Sequence, residues 1–367
     1  MKYYPFTVGV LLSVTPLFAA WYDEDANTAQ NAELQAQMND VRTVTVFDTA
    51  GAKTALGGYP NLKKKSAWFV TADFLWWHLY EGGTDFVVKQ NSVVGPEFSD
   101  QLKKFDFETR PGLRVGLGYV LSHDGWDLYL NYTWYKTHAK SSASATADES
   151  LFPLIGPTQI VGTGEAEGRW KVHFSTLDLE IGRSYFLSRY LSLRPHFGVK
   201  SAWIHQKVDF NFPLGDQLGS SDVTSQDTKI KNDFWGIGPR VGAGGKWMFC
   251  RHFGLYGGVS GALLWGHFRV REVDAQTLSV SPFAQTFKRK LNEDRIAPTA
   301  QLDIGLSYDT IFHFKRCRHH LGLKLGYESQ YWWRQNQIPQ FESPTRFHRF
   351  SEDLMIHGLV AEARLTF

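Results

Sequence analysis

Residues 113–134 read LRVGLGYVLSHDGWDLYLNYTW. Leu113, Val115, Leu117 and Tyr119 alternate with Arg114, Gly116 and Gly118, and Trp126, Leu128, Leu130, Tyr132 and Trp134 alternate with Asp127, Tyr129, Asn131 and Thr133. A period of two puts each set on its own face of a β-strand. One face is apolar and aromatic, and the other carries Arg, Asp, Asn and Gly. Between the runs stands Ser122-His123-Asp124-Gly125, and an Asp-Gly pair between alternating runs marks a tight hairpin.

The same text recurs in both directions from this hairpin. Trp68, Val70, Ala72, Phe74 and Trp76 form a run before it. After it, Leu177–Ile181 returns as Leu193–Trp203, Trp235–Trp247 returns as Phe253–Trp265, and Ala300–Tyr308 returns as Leu321–Tyr331. Leu359, Ala361, Ala363, Leu365 and Phe367 close the series. This reading gives about 10 strands, within a range of 10–12. Turns near 122–125, 188–190, 250–252 and 313–319 are short, whereas those near 81–103, 139–168, 211–232, 271–294 and 336–352 are long and polar. Strict alternation of short and long connections is the pattern of a transmembrane antiparallel up-and-down β-barrel, with short periplasmic turns and long extracellular loops. The expected class is therefore all-β, and in hydrocarbon the sheet must close on itself so that every backbone group is paired.

Composition narrows the alternatives. The chain has 367 residues, 15% aromatic and 21% charged, with 39 Lys+Arg against 37 Asp+Glu. That balance gives no global attraction to nucleic acid, and two cysteines cannot build a disulfide framework. A helical membrane bundle would need several apolar runs of roughly 18 residues, and only the N-terminus approaches one. There, Lys2, an apolar centre from Phe6 to Leu17 and Ala19-Ala20 read as a signal peptide over residues 1–20. Residues 21–65 read as a periplasmic leader with a short helix, because Leu34, Met38 and Val41 fall at i, i+4, i+7. The barrel occupies residues 66–367, and the expected location is the outer membrane of a Gram-negative-type bacterium.

Pairs such as Trp76-Trp77, Trp134-Tyr135 and Tyr331-Trp332-Trp333, with Trp265, cluster toward strand ends as interfacial girdles would. Pro111, Pro239 and Pro298 are expected near long-loop ends, where a missing N–H costs the ladder least. The terminal Phe367 resembles the signal read by the outer-membrane barrel assembly machinery. Residues Ala72–Trp77, Pro111–Tyr119, Gly125–Leu128 with Tyr132–Trp134, Leu193–Ile204 and Phe234–Arg240 together resemble the major-outer-membrane-protein-like family of Legionella and the environmental chlamydiae. The resemblance spans about residues 66–367 and implies a barrel of porin type. Cysteine content departs from the cross-linked chlamydial pattern, since the chain has only Cys250 and Cys317.

If the apolar phase faces lipid, the opposite phase faces the lumen. It carries Arg114, Arg194, Lys200, Arg240, Lys324 and Arg364 against Asp73, Asp127, Asp178, Glu180, Asp303, Glu328 and Glu362. Two readings stay open: a hydrated, weakly selective channel whose charged rings set ion preference, or a closed interior in which these charges pair. About eight strands are filled by their own side chains, so ten leave little room. The leading function is passive diffusion of ions and small solutes. The alternative is a structural surface protein or adhesin using its long loops, among them the apolar Phe152-Pro153-Leu154-Ile155 tip. No GxSxG, HExxH or carboxylate-histidine constellation suggests an enzyme, and no cofactor or metal is expected. Cys317 lies in Lys315-Arg316-Cys317-Arg318-His319-His320, where the cationic neighbours oppose a metal. A Cys250–Cys317 bridge would require Cα atoms within about 7 Å. Expected partners are outer-membrane lipid and the assembly machinery, with a homo-oligomer and a host-cell surface as candidates and no nucleic acid.

Overall fold

Period-two alternation carries through the computed structural model as ten antiparallel strands. The structure describes residues 67–91, 100–121, 126–146, 149–154, 164–188, 190–213, 223–278, 283–314, 317–341, 347–349 and 351–367. The expected signal peptide, the leader with its helix and the 122–125 turn lie outside these residues. We number the barrel strands β1 (Ala67–Glu81), β2 (Arg110–Val120), β3 (Trp126–Ser144), β4 (Glu165–Arg183), β5 (Leu191–Pro213), β6 (Val223–Met248), β7 (Phe253–Leu278), β8 (Ala284–Phe314), β9 (Cys317–Asn336) and β10 (Glu352–Thr366). Each strand pairs with its neighbours in sequence, and β1 pairs with β10 from Phe69↔Thr366 to Glu81↔Leu354, which closes the ring. Among the described residues each of the ten barrel strands is paired on both sides, as hydrocarbon requires.

Burial separates the two phases. Trp68, Val70, Phe74 and Trp76 of β1 are exposed, while Phe69, Thr71, Asp73, Leu75 and Trp77 are buried. Two aromatic belts bound the outward apolar band. Trp76, Trp134, Trp203, Trp235, Trp265 and Trp333 mark the long-connection side, and Trp68, Tyr190, Trp247, Phe249, Phe253 and Phe367 mark the short-turn side. Trp77, Tyr135 and Trp332, expected in the girdles, point inward and are buried. Adjacent residues on a strand face opposite sides, so only one of each neighbouring pair can reach lipid.

The strands also run well past the bilayer. A tilted membrane strand needs about 9–11 residues, whereas β6 and β7 have 26 each and β8 has 31. Segments expected as long loops at 211–232 and 271–294 are therefore mostly strand. Beyond the bilayer the outward phase turns polar and the apolar signal passes to the inward phase, at Val208, Phe210, Phe212, Ile230, Phe268 and Val270. The connection between Leu278 and Ala284 is consequently as short as a periplasmic turn, which breaks the expected strict alternation in length. For the same reason Pro239 and Pro298 fall inside long strands, opposite Val199 and Leu263, and not at their ends.

Two long connections build a second, three-stranded sheet from Asp85–Asn91, Asp100–Lys104 and Glu149–Pro153. Leu151, Phe86 and Val87 are buried, and Phe86 stacks on Phe210 of β5 at 6.1 Å. Of the expected apolar tip, Phe152, Pro153 and Leu154 are half-buried and Ile155 lies outside the described residues. Lys89 Nζ clips Glu149 at 2.7 Å. The Lys89 ammonium, helped by the Thr146 amide and hydroxyl, holds the Glu149 carboxyl down to about 2 from an ordinary value of 4.5. A lowered carboxylate value stabilises the fold above the ordinary value and stops doing so as pH falls toward the folded one. Amide resonances of residues 149–152 in micelles should thus shift toward unstructured values as pH drops from about 4.5 to about 2. In Lys89→Ala this pH dependence should largely disappear, because the main cause of the lowered value has been removed.

Candidate functional site

The inward phase divides along the barrel into two zones. Toward the short turns it is charged, and toward the long connections an apolar layer gives way to a mixed stretch in which Gln206, Asn232, Glu272 and Asp274 are buried along with Phe210, Ile230 and Val270.

In the charged zone, register places opposite signs face to face. Asp73 lies across from Arg114, Asp178 from Lys200 and Lys324 from Glu362. Arg114 forks onto Glu328, its Nη1 and Nη2 donating at 2.9 and 2.8 Å, and reaches Asp73 at 3.3 Å. Arg240 contacts Asp178 at 2.8 Å and Glu180 at 3.1 Å. Lys200 approaches Asp178 at 3.2 Å, and Arg194 joins Asp127 to Glu180, the latter at 3.4 Å. Lys324 binds Glu362 at 3.0 Å. Arg364 sits over the Phe69 ring, 3.8 Å from its centroid. Asp303 leans over Gly258, where a Cβ would come within 2.6 Å of its Oδ1. Arg114, Asp127, Arg194, Lys200, Arg240, Asp303, Lys324, Glu328, Glu362 and Arg364 thus all stand on the inward phase of their strands.

Lys246, Asp309, His320 and His196, the last 3.9 Å from Glu180, are on this surface and escaped sequence reading. Lys246 pairs with Asp309, and His320 Nε2 lies 3.2 Å from the other Asp309 oxygen. Their phase was legible, since Lys246 is six residues beyond Arg240 and Asp309 six beyond Asp303. The inward groups surround a cavity of about 250 Å³ at the short-turn end, lined by Tyr129, Arg194, Lys246, Tyr256, Lys324 and Arg364 among others. Space for it comes from backbone without side chains. Gly244, Gly245, Gly257 and Gly322 all line it.

Above this zone lies an apolar layer. Trp77, Tyr135, Trp170, Phe174, Phe234 and Trp332 are all within 1% of complete burial. Phe174 and Trp332 meet edge to face at 5.3 Å, and Trp77 and Tyr135 do so at 5.6 Å. The boundary is sharp: Lys200 Nζ lies 5.6 Å from the Trp332 ring and Arg114 lies 5.5 Å from the Trp77 ring. The Tyr135 hydroxyl donates to the Trp77 carbonyl at 2.8 Å. Cys250 is exposed at the turn between β6 and β7, while the Cys317 side chain is outside the described set.

A closed ten-stranded barrel with lipid-facing aromatic belts and a charged interior belongs in an outer membrane, and the sequence agrees. The model of the Legionella pneumophila major outer membrane protein precursor family matches residues 60–367. The chain belongs to this family. Membership makes it an outer-membrane β-barrel protein. No curated protein matches the sequence. Solved structures similar to this family member include the outer membrane protease OmpT from Escherichia coli, with 10% identity, 86% of this chain and 99% of that chain covered, and a TM-score of 0.37. The Pseudomonas putida toluene transporter TodX has 10% identity over 84% and 90%, with a TM-score of 0.27. A Pseudomonas aeruginosa FadL homologue has 8% identity over 88% and 93%, with a TM-score of 0.24. At such values neither proteolysis nor hydrocarbon transport is carried over to this chain.

Proposed function

We propose that this barrel is a non-catalytic, low-conductance porin that passes ions and small polar solutes. The observation that carries the reading is the charged cavity of about 250 Å³ within the barrel. An interior built only for stability would be filled with apolar side chains, because buried ion pairs seldom stabilise more than hydrophobic replacements do. Here both signs line the wall in near balance, which favours weak selectivity over strong preference for one sign. In this reading the buried aromatic layer across Trp77, Trp170 and Trp332 acts as the constriction, and hydrophobic constrictions gate by excluding water. Passage is therefore restricted to small solutes and depends on movement of that layer.

Solute uptake by proteoliposomes tests this. Vesicles containing folded protein should swell in a monosaccharide and fail to swell in a trisaccharide. Absence of swelling with every solute, in vesicles where the barrel is shown to be folded, would contradict the reading.

One observation favours a second reading, a structural surface protein or adhesin. The extra sheet joins two long connections into one ordered unit, whose strand Asp100–Lys104 is largely exposed, and exposed, ordered connecting segments are where binding surfaces form. This reading requires no open path.

A further inference from the structure

The outer wall just beyond the long-connection girdle carries a charge pattern that the porin reading does not use. Register aligns Lys171 with Lys207, Lys207 with Lys231, Lys231 with Arg271 and Arg271 with Lys290, and His138 precedes them opposite Lys171. Five cations thus stand directly opposite one another across strands β4 to β8, all exposed on the outer face. Like charges directly opposite in a sheet destabilise it, so a row of five calls for an anionic counterpart. The rungs on either side extend the patch, with Lys136 and Arg269 on one side and Lys140, Arg169, Lys229 and Lys288 on the other. Among the described residues Glu108 meets Arg110 at 2.5 Å and His138 at 3.6 Å at the edge of the patch, and two carboxylates lie within it. Asp209 contacts Lys207 at 3.0 Å, and Asp233 contacts Arg271 at 2.7 Å.

The height of the patch identifies what meets it. The rung next below Lys136 contains Trp134, Trp203 and Trp235, which belong to the aromatic girdle. The cationic row lies four residues above Trp134, or about 14 Å along the strand. With strands tilted by roughly 45°, this is on the order of 10 Å above the girdle, at headgroup level. One rung beyond the patch, the outward residues are Glu167 and Asp227, so the basic zone is confined to that level. The cations also converge on depressions. One of about 300 Å³ is lined by Arg110, Lys136, Lys140, Arg169, Lys171 and His173, and a second of about 420 Å³ lies among Lys140, Arg169, Asp209 and Lys229.

We propose that the outer wall of β3 to β8 binds a glycolipid of the outward-facing leaflet through phosphate groups on its sugar headgroup. Its acyl chains would lie against the apolar band below, at Tyr132, Leu179 and Val199. Anionic headgroups relieve the repulsion along the row, and convergent Lys and Arg favour phosphate by charge-assisted hydrogen bonds.

The test uses the full chain folded in neutral detergent micelles, with thermal unfolding followed as bisphosphorylated lipid A is added. Wild type should be stabilised. The combined variant Lys171→Gln, Lys207→Gln, Lys231→Gln should need roughly tenfold to a hundredfold more lipid for the same shift. Without lipid this variant should unfold at the same temperature as wild type or higher, because repulsion has been removed. The corresponding triple Arg variant should respond like wild type. Dephosphorylated lipid A and millimolar inorganic phosphate should have no effect. Equal responses of wild type and the Gln variant would overturn the proposal, as would an equal shift from inorganic phosphate or from phosphatidylglycerol.

Discussion

Arg114→Ala should destabilise the folded barrel by about 3–5 kcal/mol, the usual cost of removing one partner of a buried ion pair. The side chain is 13% exposed and bridges Asp73 and Glu328. In register, Asp73 lies opposite Glu362 and Glu328 lies opposite Asp303. Without the guanidinium, these two carboxylate pairs lose their shared cation, and Lys324 is bound to Glu362 at 3.0 Å. Arg114 Nε also donates to Thr133 Oγ1 at 3.0 Å, tying the fork to β3. Arg114→Lys should recover only part of the loss, because an ammonium cannot donate in a planar fork to both Glu328 oxygens. Adding Glu328→Gln to Arg114→Ala should restore stability by removing one uncompensated charge. Denaturant unfolding in micelles measures all three.

Trp332→Ala is expected to have an effect of similar size for a different reason. Trp332 is 1% exposed and packs edge-on to Phe174. Truncating a buried tryptophan costs roughly 3–5 kcal/mol through lost burial and the cavity left behind. This cavity would open between the charged zone and the apolar layer, where Lys200 already lies beside the ring. Trp332→Phe should keep most of the stability and most of the seal. The two substitutions should therefore differ in conductance as well as in unfolding.

Much of this architecture was legible because a lipid-facing barrel writes its pattern in period two. The Asp124-Gly125 hairpin and the outward Leu-Val-Trp phases of β2 and β3 fixed strand number, and the inward Arg114, Lys200 and Glu362 followed from the same alternation. Strand length was not legible. Past the girdle, β4 to β8 exchange an apolar outward face for a charged one, so Lys231 and Arg271 read as loop when they lie on strands, and Lys171 and Lys207 fell beyond the apolar runs that marked strands. The seal was missed for a related reason. Trp77, Tyr135 and Trp332 are aromatic residues beside genuine girdle residues, and composition cannot tell which of two neighbours faces lipid. Strict use of the alternation would have sent each of them inward. Pairing across the lumen, such as Arg114 with Glu328, depends on closure of the ring and has no local signal.

The central claim is that a charged vestibule below an aromatic seal forms a restricted pore. Planar bilayer recording of wild type and Trp332→Ala tests it most directly. Wild type should give small, defined conductance steps and Trp332→Ala distinctly larger ones. Silence from both folded proteins, or identical steps from both, would contradict the account.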